Sequence, residues 1–168
     1  AATGPDTTER QPMPNGHSHE AALAGEELSI ERLKESLGRL GYAFVEDDDT
    51  PTVLRARFDH YPFTFAVAGE HSHILVIGGR WDELLAVQQK LEATRLCNHW
   101  NMERMWPKAY VRRENDSVLG VYGELVFDYF YGVSDDAIDR AITCALSTTV
   151  AFFASLSTQV SDQDDVTA

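Results

Sequence analysis

Apolar positions along the chain switch between a helical and a strand spacing. Over residues 30–40 they recur at the helical spacing, with Ser29 placed to cap the first turn and Gly41 placed to end the helix. Segments rich in β-branched and aromatic residues follow, which predicts strands over 42–45, 53–58, 63–67 and 74–77. Turn residues separate these segments, so the pattern predicts an antiparallel meander after the first helix.

The helical spacing returns after two glycines, Gly78 and Gly79. Apolar residues then fall on overlapping faces, which predicts a second helix from Trp81 to about His99. Pro107 prevents its continuation, and a hairpin over 109–113 and 118–129 follows. Ser134 is placed to cap a third helix with an apolar stripe. The order α-β-β-β-β-α-β-β-α predicts an α+β domain, an antiparallel sheet packed by helices.

The two ends of the chain differ from its middle. Residues 1–27 are rich in turn formers and hold few large apolar side chains, and residues 158–168 are polar and acidic, so we expect both to be disordered. A chain of 168 residues with 43% hydrophobic content can bury one sizeable core, which we assign to residues 28–157. No apolar run of membrane-spanning length is evident, so we expect a soluble, cytoplasmic protein that binds no membrane.

Composition excludes several functional classes. The net charge of −13 argues against nucleic acid, whose phosphates need clustered Lys and Arg. No nucleophile, phosphate-loop or dinucleotide motif is present, so we expect neither a catalytic residue nor a cofactor. Cys97 and Cys144 fall in predicted helices, which favours two buried free thiols, unless the helices lie side by side and form a disulfide.

Two polar clusters could suggest a metal site. His71 and His73 are two residues apart, so on a strand they would face the same way, but a solvated hairpin turn is the favoured interpretation. Residues 47–49 are three aspartates that lack the later Gly and Glu of a calcium loop, which also indicates a turn. We expect no metal site.

The end of helix two is rich in amides and indoles. We expect Asn98 and Asn101 to satisfy backbone groups of helix two and of the next strand, and a polar ligand pocket is the less favoured alternative. Trp81 is assigned to the core. For Trp100 and Trp106 a core position and an aromatic recognition patch remain open.

Longer segments carry a family resemblance. CNHWN at the end of helix two, WPKAYVR, GELVFDYFYGVSDDAIDRAI and the FFxxL motif ending at Leu156 resemble the YbjN family of bacterial proteins over residues 29–156. Its members are often described as sensory transduction regulators, and their domain is similar to type III secretion chaperones. The resemblance implies a small, acidic, chaperone-like domain that often pairs with itself and has no assigned chemistry. Those chaperones have three strands between their first two helices, whereas four are predicted here.

The expected function is therefore non-enzymatic. We expect a chaperone-like or regulatory domain that binds a polypeptide partner or itself through its sheet and helix two, with exposed aromatic turns at Tyr61, Phe63 and Tyr131. The alternative is a small-molecule sensor in which helix two and the WPK strand enclose a ligand, and an enzyme comes third. A deep polar pocket would favour the alternatives, and a flat apolar patch the first.

A homodimer is the expected assembly. Apolar residues occupy more than one face of predicted helix two, and one sheet can cover only one of these stripes. A two-fold dimer would cover the second stripe, whereas packing of helix three would leave a monomer. The residues expected at a partner or dimer interface are Val87, Leu91, Tyr61, Phe63, Trp100 and Trp106.

Overall fold

A computed structural model of the chain describes residues 25–166, with side chains described as far as Thr158. The helices are α1 (Ile30–Arg39), α2 (Lys90–Glu103) and α3 (Asp135–Val166). The strands are β1 (Val45–Glu46), β2 (Val53–Phe58), β3 (Tyr61–Ala68), β4 (Ile74–Ala86), β5 (Lys108–Arg113) and β6 (Val118–Asp128). One antiparallel six-stranded sheet has the order β1-β2-β3-β4-β6-β5. The predicted α+β class and element order are confirmed, including four strands between α1 and α2.

The caps of the first and third helices agree with the sequence. The Ser29 hydroxyl accepts a hydrogen bond from the backbone N–H of Arg32 at 3.2 Å, and the Ser134 hydroxyl accepts one from Ala137 at 3.3 Å. Gly41 has a φ of +75°, which glycine adopts without strain, and it follows the end of α1. Local chemistry therefore sets three of the helix ends.

The core lies between the helices and one face of the sheet. Alternate residues of β3 and β4, including Phe65 and Ile77, are fully buried against α3, whose Ile142 and Phe152 are also fully buried. The residues between them point to the opposite side, which we call the open face. In the part of the chain that the structure describes, the helices pack on the core side only.

Helix α3 contains a long apolar stretch. An 18-residue window within Asp135–Thr158 has a mean hydropathy of 1.5, so by length and composition alone this segment could cross a membrane. Its apolar stripe, however, lies in the core, where Ile138, Phe152 and Phe153 are fully buried. This burial is typical of the central helix of a globular domain.

Helix two begins later than predicted, which is a correction. Residues 81–86 continue β4, residues 84–86 pair with β6, and a short 3₁₀ turn (Val87–Gln89) precedes α2. Trp81 is buried as a core-facing strand residue, and a register shift between Arg80 and Leu84 lets the pairing resume. The two-stripe argument for a dimer therefore loses its basis, because Trp81, Leu84 and Leu85 are not on a helix.

The boundaries of the folded region also differ from the prediction. Glu26 forms a β-bridge with Val133, and Leu28 is buried, so the fold begins before residue 28. Residues 1–24 lie outside the described part of the chain. The segment predicted as a disordered tail from residue 158 continues α3 as far as Val166. The first strand is Val45–Glu46 instead of 42–45.

Candidate interaction surfaces

Tyr61 and Phe63 are not exposed turns, as the sequence suggested. They are 5% and 1% exposed, because both occupy core-facing positions of β3. The Tyr61 ring lies 4.9 Å from that of Phe153, and the Phe63 ring lies 5.5 Å from that of Phe58. Neither side chain can meet a partner without opening the core, so this part of the interface prediction is wrong. Tyr131 is exposed, as expected.

The polar clusters form turns. His71 and His73 lie in the connection between β3 and β4 with ring centroids 6.1 Å apart, and the described residues contain no group of three potential metal ligands. Asp47 accepts hydrogen bonds from the backbone N–H groups of Asp49 and Thr50 at 3.1 and 2.9 Å. A hydrogen bond from Arg55 lowers the pKa of Asp47. This carboxylate holds a turn together.

The two cysteines are free, and burial makes Cys97 unsuited to redox chemistry. Burial raises the pKa of the Cys97 thiol to about 11, so it stays protonated and unreactive at neutral pH. Cys144 is half-buried on α3, which is less than the full burial expected.

The end of α2 contains one structural amide. Asn101 donates from Nδ2 to the backbone oxygen of Ala109 and accepts from its N–H, both at 2.9 Å. The predicted scaffolding role is confirmed for Asn101, whereas the Asn98 side chain forms no hydrogen bond with any residue that the structure describes. Trp100 packs toward the core, with its ring 5.0 Å from that of Phe152. The two Asn101 hydrogen bonds hold α2 directly against β5.

An exposed apolar patch follows directly. Met102 is 85% exposed, Met105 is 84% exposed and Trp106 is 45% exposed, and we call these three residues the methionine–tryptophan patch. Its base is aromatic, since the Trp106 ring lies 6.4 Å from that of Phe127, which stacks on Tyr129. Sequence reasoning singled out Trp106 but missed Met102 and Met105. Each methionine lies within two residues of a tryptophan, where the helical pattern ends.

The open face carries a polar network on β5 and β6. The rings of Tyr110 and Tyr122 are stacked with centroids 5.4 Å apart. Tyr122 donates to Glu114 at 2.6 Å and accepts from Arg112 at 2.5 Å, while Lys108 pairs with Glu124 at 2.6 Å. Sequence reasoning missed this network, whose signal was the alternation of charged and aromatic residues in two paired strands.

The pKa values of Tyr122 and Glu114 are shifted within this network. Burial, and after it the hydrogen bond to Glu114, raises the pKa of Tyr122 to about 12. The same hydrogen bond lowers the pKa of Glu114. The tyrosine hydroxyl therefore keeps its proton, and the carboxylate keeps its charge, across the physiological range.

Two depressions flank these features. An apolar depression of about 380 Å³ lies between residues 43–45 and strands β2 and β3. A basin of about 470 Å³ lies on the open face beside the tyrosines, lined also by Thr64, Gly78 and Arg80. Both open to solvent.

Comparison with known proteins agrees with this architecture. The model of the YbjN family, described as "Putative bacterial sensory transduction regulator", matches residues 29–157. The chain belongs to the YbjN family. The YbjN domain here is similar to the crystal structure of YbjN from E. coli, "a putative transcription regulator", with a TM-score of 0.63 at 12% identity over 79% of this chain and 94% of that one. At this identity the likeness shows the fold alone. A search of curated proteins finds no match.

Proposed function

We propose that this YbjN domain is a non-enzymatic, chaperone-like interaction module that acts in the cytoplasm by binding a polypeptide partner at the methionine–tryptophan patch. The observation that carries the proposal is the exposure of Met102, Met105 and the half-exposed Trp106 within one short stretch of the chain. Contiguous exposed apolar surface is uncommon on soluble domains and marks interaction sites. Methionine and tryptophan are also enriched at protein interfaces.

The patch suits a polypeptide more than a small ligand. Methionine side chains are flexible and polarizable, so they adapt to differently shaped apolar partners. Burying each one removes apolar area worth about 1.5–3 kcal/mol, and Trp106 supplies a large ring that Phe127 supports from behind. The patch projects from the surface and encloses nothing, so a partner segment must bring its own concavity or groove.

Photo-crosslinking tests the proposal. A benzophenone amino acid is placed at Met105 and, as the control, at Glu70, which is also exposed but lies in the connection between β3 and β4. After irradiation in a native bacterium we expect position 105 to capture one defined polypeptide, and position 70 to capture none. The substitution Trp106→Ala should reduce that capture at least tenfold. Capture of the same proteins from both positions would contradict the proposal, and capture of a second copy would reassign the patch to self-association.

The apolar depression favours a second candidate, a small-molecule sensor. Its volume of about 380 Å³ lies within the usual range of ligand sites, and Phe44, Val45 and Pro62 contribute apolar surface. A screen of hydrophobic small molecules for compounds that raise the melting temperature tests it. Compounds that stabilise the wild type but not Ala56→Leu would support the sensor. Ligands that bind equally well to this variant would place their site elsewhere.

A further inference from the structure

The floor of the basin on the open face is Gly78, and no neighbouring side chain or backbone atom would clash with a Cβ atom there. A Cβ atom on Gly78 would meet nothing closer than Thr64 Oγ1 at 3.6 Å, an ordinary contact. Its neighbour Gly79 differs, because a Cβ there would lie 2.8 Å from the Phe63 ring. The space above Gly78 is therefore left open to solvent, at the centre of the sheet and with strands on both sides.

One cation beside this floor, Arg80, has no direct hydrogen-bond or ion-pair partner among the described residues. Three other cations around the basin are already paired with carboxylates of the same chain: Arg55 with Asp47, Arg112 with Glu114, and Lys108 with Glu124. Arg80, which also lines the basin, donates no hydrogen bond and forms no direct ion pair with any residue that the structure describes, and its charge acts on Glu114 and Tyr122 only at longer range. A half-buried guanidinium without an acceptor is a ready site for an anion, because its planar fork matches a carboxylate.

The wall of the basin is rigid. Tyr110 and Tyr122 stack on each other, and the Arg112 guanidinium lies 4.2 Å from the Tyr122 ring centroid. The Tyr122 hydroxyl donates a hydrogen bond to Glu114, which holds the ring in place. A Cβ on Gly120 would lie 2.8 Å from Tyr122 and 2.9 Å from Glu114, so this glycine is needed to seat the wall. Little ordering is then required when a ligand binds.

The surroundings indicate what kind of molecule carries the anion. Val76 lines the same basin and pairs across the sheet with Val126, which is exposed, so apolar surface continues from the floor along the open face. A small acid in so open a basin would leave most of its surface in water, whereas an extended polypeptide would cover both the arginine and the valines.

We propose that this basin binds a carboxylate side chain of an acidic polypeptide segment, with Arg80 as its anchor and the neighbouring valines as its apolar floor. The net charge of −13 does not prevent this, since charges farther than about 8 Å are screened at physiological ionic strength. A carboxylate bound to Arg80 lies closer to the guanidinium than this screening distance, so their attraction persists. The site is separate from the methionine–tryptophan patch, and the inference does not rest on the function proposed there.

Fluorescence anisotropy with a labelled (Glu-Val)₄ peptide tests the site, with (Gln-Val)₄ as the uncharged probe. We expect the acidic peptide to bind more tightly, and Arg80→Gln to weaken it about tenfold or more, as for loss of a charge-assisted hydrogen-bonded pair. Gly78→Ala should also weaken binding while leaving the urea midpoint unchanged, because the added methyl enters the basin and clashes with nothing.

Matched controls separate this site from general charge effects. Arg57→Gln makes the same charge change on the same face outside the basin and should leave the affinity unchanged, as should Trp106→Ala. An equal loss in Arg57→Gln, or no loss in Arg80→Gln, would overturn the proposal. Glutarate tests whether a small acid is sufficient. If glutarate binds as tightly as the peptide and its binding depends on Arg80, the assignment to a polypeptide is overturned.

Discussion

Asn101 joins α2 to the edge of the sheet with both halves of its amide, each 2.9 Å from a backbone group of Ala109. Asn101→Ala leaves a half-buried N–H and C=O without partners, so the free energy of unfolding should fall by roughly 1–3 kcal/mol. Asn98→Ala, an exposed control on the same helix, should change it by about 0.5 kcal/mol at most. Urea denaturation measures both, and equal losses would contradict the assigned role.

Tyr122 is held neutral by its surroundings, and this gives a prediction about pH. Its pKa is raised from the ordinary 10.0 to about 12, so the stability it contributes is complete below pH 10 and is lost as the pH rises toward about 12. A ¹³C-NMR titration of the Tyr122 ring should show that midpoint. Glu114→Gln removes the carboxylate that favours the neutral hydroxyl and should lower the midpoint. A wild-type midpoint near 10 would show that the network is not formed.

At the scale of elements, α3 lies close to the sheet because two paired positions of β4 and β6 are glycines. Gly79 and Gly123 face each other, and a Cβ on either would lie within 3.0 Å of Thr149 Cγ2. Gly79→Ala should therefore cost roughly 1–3 kcal/mol of stability through overpacking. Gly78→Ala, one residue earlier, should change it by about 0.5 kcal/mol at most. Thermal melts of the two variants would decide, and similar melting temperatures would contradict close packing of α3.

Elements whose local signals agree with their tertiary setting could be predicted from the sequence. The β2 strand was predicted with its observed bounds, since Arg55 and Arg57 alternate with apolar residues, and the Ser29 and Ser134 caps were also found. Residues 81–86 contain strong helix formers, and here pairing with β6 and burial of Trp81 overrode propensity. Long-range pairing of this kind leaves no mark in a short window of sequence.

The candidate surfaces were harder to predict for the same reason. Tyr61 and Phe63 resembled turn aromatics, but β3 begins at Tyr61, and its register points both rings into the core. The tyrosine network and Arg80 come from three strands, so only the sheet order brings them together. Trp106 could be singled out because Pro107 ends the helical pattern beside it.

At the scale of the whole molecule, the strap of residues 25–28 closes the fold. Arg32 Nη1 donates to the backbone oxygens of Glu26 and Glu27, both at 2.9 Å, and Val133 N–H donates to Glu26. A chain shortened to residues 28–157 should be less stable than one of 25–157 by roughly 1.5–3 kcal/mol, the usual worth of hydrogen bonds to a charged group. Guanidinium unfolding compares the two chains, and identical midpoints would show that the strap is dispensable. That residues 1–24 are disordered stays a prediction.

We propose self-association through α2 at Leu91, a residue already expected at the interface, on an argument that does not depend on residues 81–85. Ala93 and Cys97 bury one side of α2, and the opposite side presents Leu91 and Met102 eleven residues apart, which is three helical turns. A two-fold axis between antiparallel copies of α2 would set Leu91 of each chain against Met102 of the other. Val87, the other residue expected there, is half-buried, so its substitution would also disturb the fold.

Sedimentation equilibrium tests this dimer. We expect the wild type to dimerise and Leu91→Glu to be monomeric, because a carboxylate would be desolvated against an apolar side chain. Val45→Glu is the matched control, since Val45 is 64% exposed and Leu91 is 63% exposed, and Val45 lies on the opposite edge strand. This pairing buries Met102, so a partner that needs the whole methionine–tryptophan patch would compete with the dimer. A wild type that is monomeric at every accessible concentration, or a control that dissociates as Leu91→Glu does, would exclude the α2 dimer.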